Sequence, residues 1–204
     1  MMTLYDHPLS GHAHRTRLFL AILNLPYERI NVDLSQSEHR QNAFLELNPL
    51  GQVPVLVDND LTLRDSTAIL TYLALKDDSR RTWLPQDPAR AAQVQQWLAT
   101  SVKELALGPA AARAVKVFGR KTDHPQLVEK SHALLGSLFE PHLSANNWLV
   151  DDQPTIADIA NYSYIAVADE GHVLLDDYPH IRQWLARVEA LDGFEAMPRA
   201  KTLI

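Results

Sequence analysis

The sequence predicts an α/β domain built on a mixed four-stranded sheet, followed by an all-helical bundle. Three observations predict it. Residues 1–77 read as short apolar strands and helical patterns in the order β-α-β-α-β-β-α. The stretch Asp77 to Pro88 is charged, holds two prolines and shows no periodicity, so residues 78–87 are assigned as the linker. Residues 88–204 then show only helical spacing.

Each element has its own local reason. Residues 2–6 are a short apolar strand ending at His7-Pro8. From Gly11 to Asn24 the apolar residues, among them Ala13, Leu18, Phe19 and Ile22, fall mostly at helical spacing, and Leu25-Pro26 stops the helix. Tyr27 to Val32 alternates as a strand does. Ser35 to Leu47 reads as a second helix with Phe44 and Leu47 facing inward, and Asn48-Pro49-Leu50-Gly51 is turn chemistry. Residues 54–57 and 61–63 form a hairpin around Asp58-Asn59-Asp60. Asp65 or Ser66 caps the third helix, through Ile69, Leu70 and Leu73. A right-handed β-α-β crossover followed by two antiparallel strands gives a thioredoxin-like sheet. Beyond the linker, helices are expected over Ala89–Phe118 with a break at Gly108-Pro109, over Pro125–Ala145, over Thr155–His172 and over Tyr178–Leu191, with a short helical turn near Phe194.

Bulk composition narrows the function. The chain has 204 residues, enough for two small domains, with 46% hydrophobic and 22% charged residues. A formal net charge of −6 disfavours nucleic acid and anionic membranes as partners. There is no cysteine, which excludes a disulfide scaffold, a zinc–thiolate site and a cysteine nucleophile. Asp6, His7, His12, His14, Arg15 and Arg17 near the start are unlike the apolar core of a signal peptide, and no apolar run is long enough to span a membrane. An intracellular, cytoplasmic protein is the expectation.

Three short motifs carry chemistry. Val53-Pro54, directly after Gly51-Gln52, either opens an edge strand in trans or forms a cis turn. In a thioredoxin-like sheet such a turn leaves the N–H and C=O of Val53 facing a cleft, where an extended peptide pairs like an added strand. Asp65-Ser66 opens the third helix. It serves as a plain N-cap, and the helix N-terminus also receives a carboxylate. Ser10 opens the first helix as an N-cap or as a hydroxyl that donates to a thiolate. A free thiol has a pKa near 8.5, and a hydrogen bond to its charged form lowers that value. Pro154-Thr155-Ile156-Ala157-Asp158 is a capping box with Asp in the usual Glu place, a folding signal. His7, His12 and His14 lack the supporting carboxylates of a metal site, so no metal is expected.

Together these pieces resemble the cytosolic glutathione transferase family. Leu4-Tyr5 to Arg17, with Ser10-Gly11-His12 inside, is similar to the first strand and active-site helix. Asn48-Pro49-Leu50-Gly51-Gln52-Val53-Pro54-Val55-Leu56 is similar to the cis-proline segment, and Asp65-Ser66-Thr67-Ala68-Ile69 to the γ-glutamyl-binding segment. Trp148-Leu149 to Asp158 is similar to the capping-box segment of the helical domain. The resemblance covers nearly the whole chain and is of the bacterial-like, serine type.

The resemblance implies glutathione as co-substrate, a small hydrophobic electrophile and a two-fold homodimer. It implies Ser10 as the residue that stabilises the thiolate, Val53 with Pro54 as the site that pairs with the cysteinyl backbone, and Asp65 and Ser66 as the pair on the γ-glutamyl group. His39, Arg40 and Gln52 are its candidates for the glycyl carboxylate, although His39 and Arg40 also read as a solvated basic face. Tyr5 lies one residue before the place where tyrosine-type members carry their tyrosine. That offset turns its side chain to the other face of the strand, so it reads as scaffold. His12 either adds charge beside the thiol or packs on the first turn. Walls for the electrophile are expected from Leu9, from Glu104 to Ala112, and from Arg113 and Phe118, and Glu104 is placed to reach across a dimer axis. A glutathione-dependent isomerase or peroxidase, and a non-catalytic binding or regulatory protein of the same fold, are the alternatives.

Overall fold

A computed structural model describes residues 1–78, 82–150 and 152–200. The linker residues 79–81, Asp151 within the capping-box segment, and the last residues 201–204 of the helical domain lie outside the described residues.

The strands and helices of the first domain follow the expected order, with β1 at Met2–Asp6, α1 at Gly11–Ile22, β2 at Tyr27–Asn31, α2 at Asn42–Leu47, β3 at Val55–Asp58, β4 at Leu61–Arg64 and α3 at Ser66–Lys76. The sheet order is β2-β1-β3-β4. β1 runs parallel to β2, with Leu4 opposite Arg29, and antiparallel to β3, with Leu4 opposite Leu56. β3 pairs antiparallel with β4, Leu56 opposite Leu63. Side chains alternate across β1 as its period of two requires. Met2 and Leu4 join Leu18, Leu56, Ile69 and Leu70 in the main core under α1 and α3. Tyr5 faces the other way and packs edge-on against Phe44, ring centroids 6.2 Å apart, in a small cluster with Val32 and Val55.

Two local expectations are corrected. The segment expected to be helical from Ser35 becomes a 3₁₀ turn at Glu38–Arg40 and a short α2. Asp33 Oδ1 accepts from the N–H and hydroxyl of Ser35 and from the N–H of Gln36, and Ser37 adopts a left-handed φ of 58°, so the chain turns before it coils. The hairpin turn is one residue shorter than expected, because Asp58 pairs with Leu61 in the ladder. The Asp58 carboxylate is drawn inward by the hydroxyl of Tyr72 and by Lys76 on α3.

The linker is tied to both sides. Asp78 Oδ2 accepts from the N–H of Trp83, the Trp83 ring lies edge-on to Phe19 of α1, and its carbonyl accepts from the N–H of Ile156. The second domain is helical throughout, with α4 at Pro88–Val102, α5 at Glu104–Leu107, α6 at Pro109–Phe118, α7 at His124–Leu134, α8 at Glu140–Ala145, α9 at Ile156–Ala166 and α10 at Pro179–Glu189. The expected break at Gly108 is present, and a second one falls at Lys103. There Arg15 of α1 takes the carbonyl of Ser101, the acceptor that the next helical turn would use. Between α7 and α8 the helix widens into a π turn at Leu135–Phe139, just before Pro141, which has no N–H to offer. After α9 a 3₁₀ turn at Ala168–Gly171 replaces the last part of the expected helix, and Leu191 to Phe194 is a hydrogen-bonded turn of chain, not a helix.

α9 is the central helix. Residues 156–165 are all buried, and it packs against α4 and α10 within its domain and against α1 and α3 across the boundary. One core cluster therefore runs from Leu4 to Trp184 through both domains. The capping box starts this helix, with Thr155 Oγ1 accepting from the N–H of Ala157 and Asp158 Oδ2 from the N–H of Thr155. Asp158 does more than cap, since its Oδ1 accepts from the N–H of Leu149 (3.0 Å) and from Trp184 Nε1 (2.9 Å), joining three segments. Asp158→Ala strands the buried N–H groups of Leu149, Thr155 and Trp184 and should cost about 3–5 kcal/mol of unfolding free energy. Urea unfolding followed by tryptophan fluorescence measures this, and a loss below about 1 kcal/mol contradicts the joining role.

Candidate active site

A cleft of about 580 Å³ lies between the domains, within the roughly 300–1,000 Å³ typical of small-molecule sites. Ser10, His39, Arg40, Gln52, Val53, Pro54, Asp65 and Ser66 all line it. The sheet topology explains the convergence. The ends of β1 and β2, the turn before β3 and the end of β4 lie at one edge, so the N-termini of α1 and α3 open onto the same space.

At the first of these, Ser10 is extended (φ −81°, ψ 116°) and its Oγ accepts from the N–H of Ala13 at 3.2 Å. This is an N-cap, and since the oxygen is the acceptor, the hydroxyl proton stays free for another partner. Gly11 follows because α1 presses on α9 here. A Cβ at Gly11 would stand 2.6 Å from the ring of Tyr164.

The second feature is the turn before β3, where the Val53–Pro54 peptide is cis. Among the described residues neither the N–H nor the C=O of Val53 takes part in a hydrogen bond, so the backbone just before β3 is unpaired in the cleft. The turn is held from behind. Asn48 Nδ2 donates to the carbonyl of Gln52 at 2.8 Å, and Asn48 Oδ1 accepts from the N–H of Leu50. Gly51 has φ +59°, and a Cβ there would lie 2.7 Å from the carbonyl of His39, so only glycine fits. The same contact brings His39 and Arg40 to the cleft.

The third is Asp65-Ser66. Asp65 caps α3 with a single oxygen, Oδ1 accepting from Thr67 N (2.8 Å), Thr67 Oγ1 (2.6 Å) and Ala68 N (3.1 Å). Its φ of 77° is unusual for a residue with a side chain, a conformation that costs on the order of 1–3 kcal/mol and concentrates at functional sites. Burial pushes the Asp65 carboxyl up, but the hydrogen bonds from Thr67 and Ala68 prevail and hold it below its usual value, so it is an anion at neutral pH. Oδ2 and the first-turn N–H of Ser66 remain available.

The helical domain supplies the opposite wall. Val102, Ala106, Ala110, Ala111, Ala114 and Phe118 give it apolar surface, and Leu9 of the first domain adds to it. Ala112 of the same run is instead buried in helix packing, and Glu104 pairs with Lys103 away from the cleft. Arg113 is a strut, with Nη1 donating to the carbonyl of Leu9 (2.9 Å) and Nε to Glu170 Oε2 (2.6 Å). It thereby fixes the residue before Ser10.

His12 and His14 of α1 are neutral. His12 lines the cleft edge-on to Tyr164, and burial first, then Arg15, lowers its pKa to about 3. It packs, and brings no charge to a thiol. His14 is fully buried. Its Nε2 lies 2.8 Å from the carbonyl of Glu195, which only accepts, so Nε2 carries the proton and Nδ1 accepts from Ser163 at 2.9 Å. Among the described residues no group of three or more His, Asp or Glu side chains is arranged for a metal ion.

Sequence reading missed that Arg15 and Arg17 are core residues. Both are buried, Arg17 donating to Asp6 Oδ1 (2.5 Å), Glu195 Oε1 (3.2 Å) and the carbonyl of Pro8. The available signal was the lack of any polar face on α1. Ala13 and the run Leu18-Phe19-Leu20 surround these charges on every side.

A thioredoxin-like domain with unpaired backbone between two helix N-termini, walled by a helical domain, defines a two-domain protein whose cleft can take an extended peptide. The family description "Glutathione S-transferase, N-terminal domain" matches residues 1–75, and "Glutathione S-transferase, C-terminal domain" matches residues 96–192. The chain is 32% identical to glutathione S-transferase 3 of Zea mays, over 95% of this chain and 91% of that one. It is similar in structure to a glutathione S-transferase from Xanthobacter autotrophicus, with TM-score 0.91, 29% identity and full coverage of both chains. It also resembles a glutathione transferase homologue from Lodderomyces elongisporus described with two GSH per subunit, with TM-score 0.85, 26% identity and 94% of each chain covered. This chain belongs to the glutathione S-transferase family, an assignment that favours a transferase over the isomerase, peroxidase and non-catalytic readings.

The burial of His14 has a consequence for stability. Its pKa falls from about 6.5 in the unfolded chain to about 3 in the fold. The depressed value means that stability is complete above pH ~6.5 and is lost as pH falls toward ~3, while the unfolded chain alone takes up the proton. Between pH 7 and 4.5 this one group should remove about 2 kcal/mol, and His14→Gln should flatten the pH dependence by that amount. Urea unfolding at the two pH values checks it. An unchanged slope refutes the buried neutral imidazole as its cause.

Proposed function

We propose that this chain conjugates the thiol of glutathione to small hydrophobic electrophiles. The observation that carries the reading is the convergence of Ser10, the unpaired backbone at Val53-Pro54 and the pair Asp65-Ser66 on one cleft. The cysteinyl backbone pairs with the N–H and C=O of Val53 beside Pro54 as an added strand. The γ-glutamyl carboxylate takes the N–H and hydroxyl of Ser66 at the N-terminus of α3, and the amine takes the free Oδ2 of Asp65. The glycyl carboxylate lies toward His39, Arg40 and Gln52.

Ser10 is the catalytic residue. Its proton donates to the sulfur, which stabilises the thiolate over the thiol, and each unit of lowered pKa is about 1.4 kcal/mol of that preference. The thiolate attacks the electrophilic carbon against the apolar wall around Leu9 and Phe118. With an aryl chloride, the C–S bond forms, the C–Cl bond breaks and chloride leaves, while the thiol proton passes to solvent. Holding both reactants in one cleft adds the advantage of proximity. Residues 1–77 act as the glutathione-binding domain, 78–87 as the linker and 88–204 as the helical domain. The reading extends to a two-fold homodimer in the cytoplasm. No helix among the described residues is long and apolar enough to cross a membrane.

Ser10→Ala should lower kcat by roughly 10- to 100-fold with 1-chloro-2,4-dinitrobenzene, leave the KM for glutathione within about twofold, and move the rising limb of the pH–rate profile toward the free thiol value near 8.5. Loss of the cap to Ala13 should cost only about 1 kcal/mol of stability. A wild-type rate and pH profile in this variant remove Ser10 from the mechanism.

A further inference from the structure

Arg15 is fully buried on α1, yet among the described residues it has no carboxylate partner. Arg17 on the same helix pairs with Asp6, and Arg113 across the cleft pairs with Glu170. Arg15 instead has Nη1 on Ser66 Oγ (3.2 Å) and Ser101 Oγ (3.3 Å), and Nη2 on the carbonyl of Ser101 (3.4 Å). Its Nε is buried with no acceptor, and its guanidinium carbon sits 5.8 Å from the ring centroid of Tyr164. Burial lowers its pKa to about 10, so it stays charged at neutral pH. With two hydroxyls, one carbonyl and a ring face around it, and Asp65 acting on it only from beyond contact, this buried charge is partly compensated.

The hydroxyls show where compensation is directed. Ser101 donates its proton to the carbonyl of Leu98 (2.7 Å), so it can only accept from Arg15. Ser66 likewise accepts from Arg15, has no acceptor for its own proton among the described residues, and lines the cleft. With a lone pair committed to the guanidinium behind it, its proton turns toward the cleft. We infer that Arg15 is a positioning residue that fixes the Ser66 hydroxyl as a donor to the ligand's carboxylate and supplies the buried positive charge which that carboxylate balances. Arg15 touches no ligand. It acts through Ser66, one step behind the surface of the cleft, and its partly compensated charge is matched when the anion arrives. The inference rests on glutathione docking its γ-glutamyl group at Asp65-Ser66.

The test is calorimetric titration of the wild type, Arg15→Met and Arg15→Lys with two peptides, glutathione and 4-aminobutyryl-cysteinyl-glycine, which lacks only the γ-glutamyl carboxylate. The wild type should prefer glutathione. Arg15→Met should weaken glutathione about 30-fold and the analogue less than about threefold, so that the preference collapses, while Arg15→Lys retains part of it. Equal weakening of both peptides in the variants means that Arg15 only supports the fold, and overturns the inference. If Arg15→Met does not fold, Arg15→Lys decides by the same criterion, with a partial loss of preference supporting the inference and no change in preference overturning it. A wild type that binds both peptides equally keeps the thiol-peptide site but removes the role of Arg15. A wild type that binds neither overturns the glutathione reading and this inference with it.

Discussion

The burial of α1 between the sheet and α9 is the constraint on which the remainder depends. One side of α1 packs with Leu4, Leu56 and Ile69, and the other meets the helical domain, where Gly11 lies against Tyr164 with no room for a Cβ. Nothing on this helix faces open water for most of its length, so its polar residues must find partners inside. His14 uses Ser163 and the carbonyl of Glu195, Arg17 uses Asp6 and Glu195, and Arg15 uses Ser66 and Ser101. These partners come from the sheet, from α3, from α4, from α9 and from the last described stretch of chain. Docking of the two domains and the placement of Ser10 at the mouth of α1 are therefore one event energetically.

The same arrangement sets the electrostatics of the cleft. The molecule as a whole is acidic, with a net charge of −6, yet Arg40, Arg64, Arg113 and Arg120 line the cleft with Asp65 as the acidic residue among the lining. Two helix N-termini add their partial positive charge. His12 stays neutral there because it is buried and stands near Arg15. The site thus favours a small peptide that carries carboxylates, while the acidic exterior discourages polyanions. The cleft also divides by chemistry. Its thioredoxin-like side offers backbone groups and hydroxyls, and its helical side offers alanines, Val102 and Phe118. The first suits a fixed polar co-substrate, the second an apolar partner with few directional demands.

Several features were legible in the residues alone because they are set within a few positions of chain. Proline's fixed φ and the glycine before it mark the turn at Val53-Pro54. An Asp-Ser pair before an apolar periodic run marks the start of α3, and Thr155 with Asp158 marks the start of α9. The thioredoxin-like sheet followed from the β-α-β crossover and the hairpin that ends the domain. All eight residues singled out for the site line one cleft for the same reason, since each sits at an element end that this topology gathers at one edge.

What stayed hidden depended on contacts far away in sequence. Arg15 and Arg17 look like solvated charges until α3, α4 and the stretch around Glu195 close over them, and Arg15 meets Ser66 and Ser101 across 51 and 86 residues. The second break, at Lys103, falls beside the carbonyl of Ser101 that Arg15 contacts from the other domain. The neutrality of His14 depends on burial by distant segments, and its tautomer on a carbonyl 181 residues away. Dihedral preferences and capping act between neighbours along the chain, so the order of residues suffices to fix them. Desolvation and the satisfaction of buried charge depend on what surrounds a side chain in three dimensions, and only the folded molecule decides that.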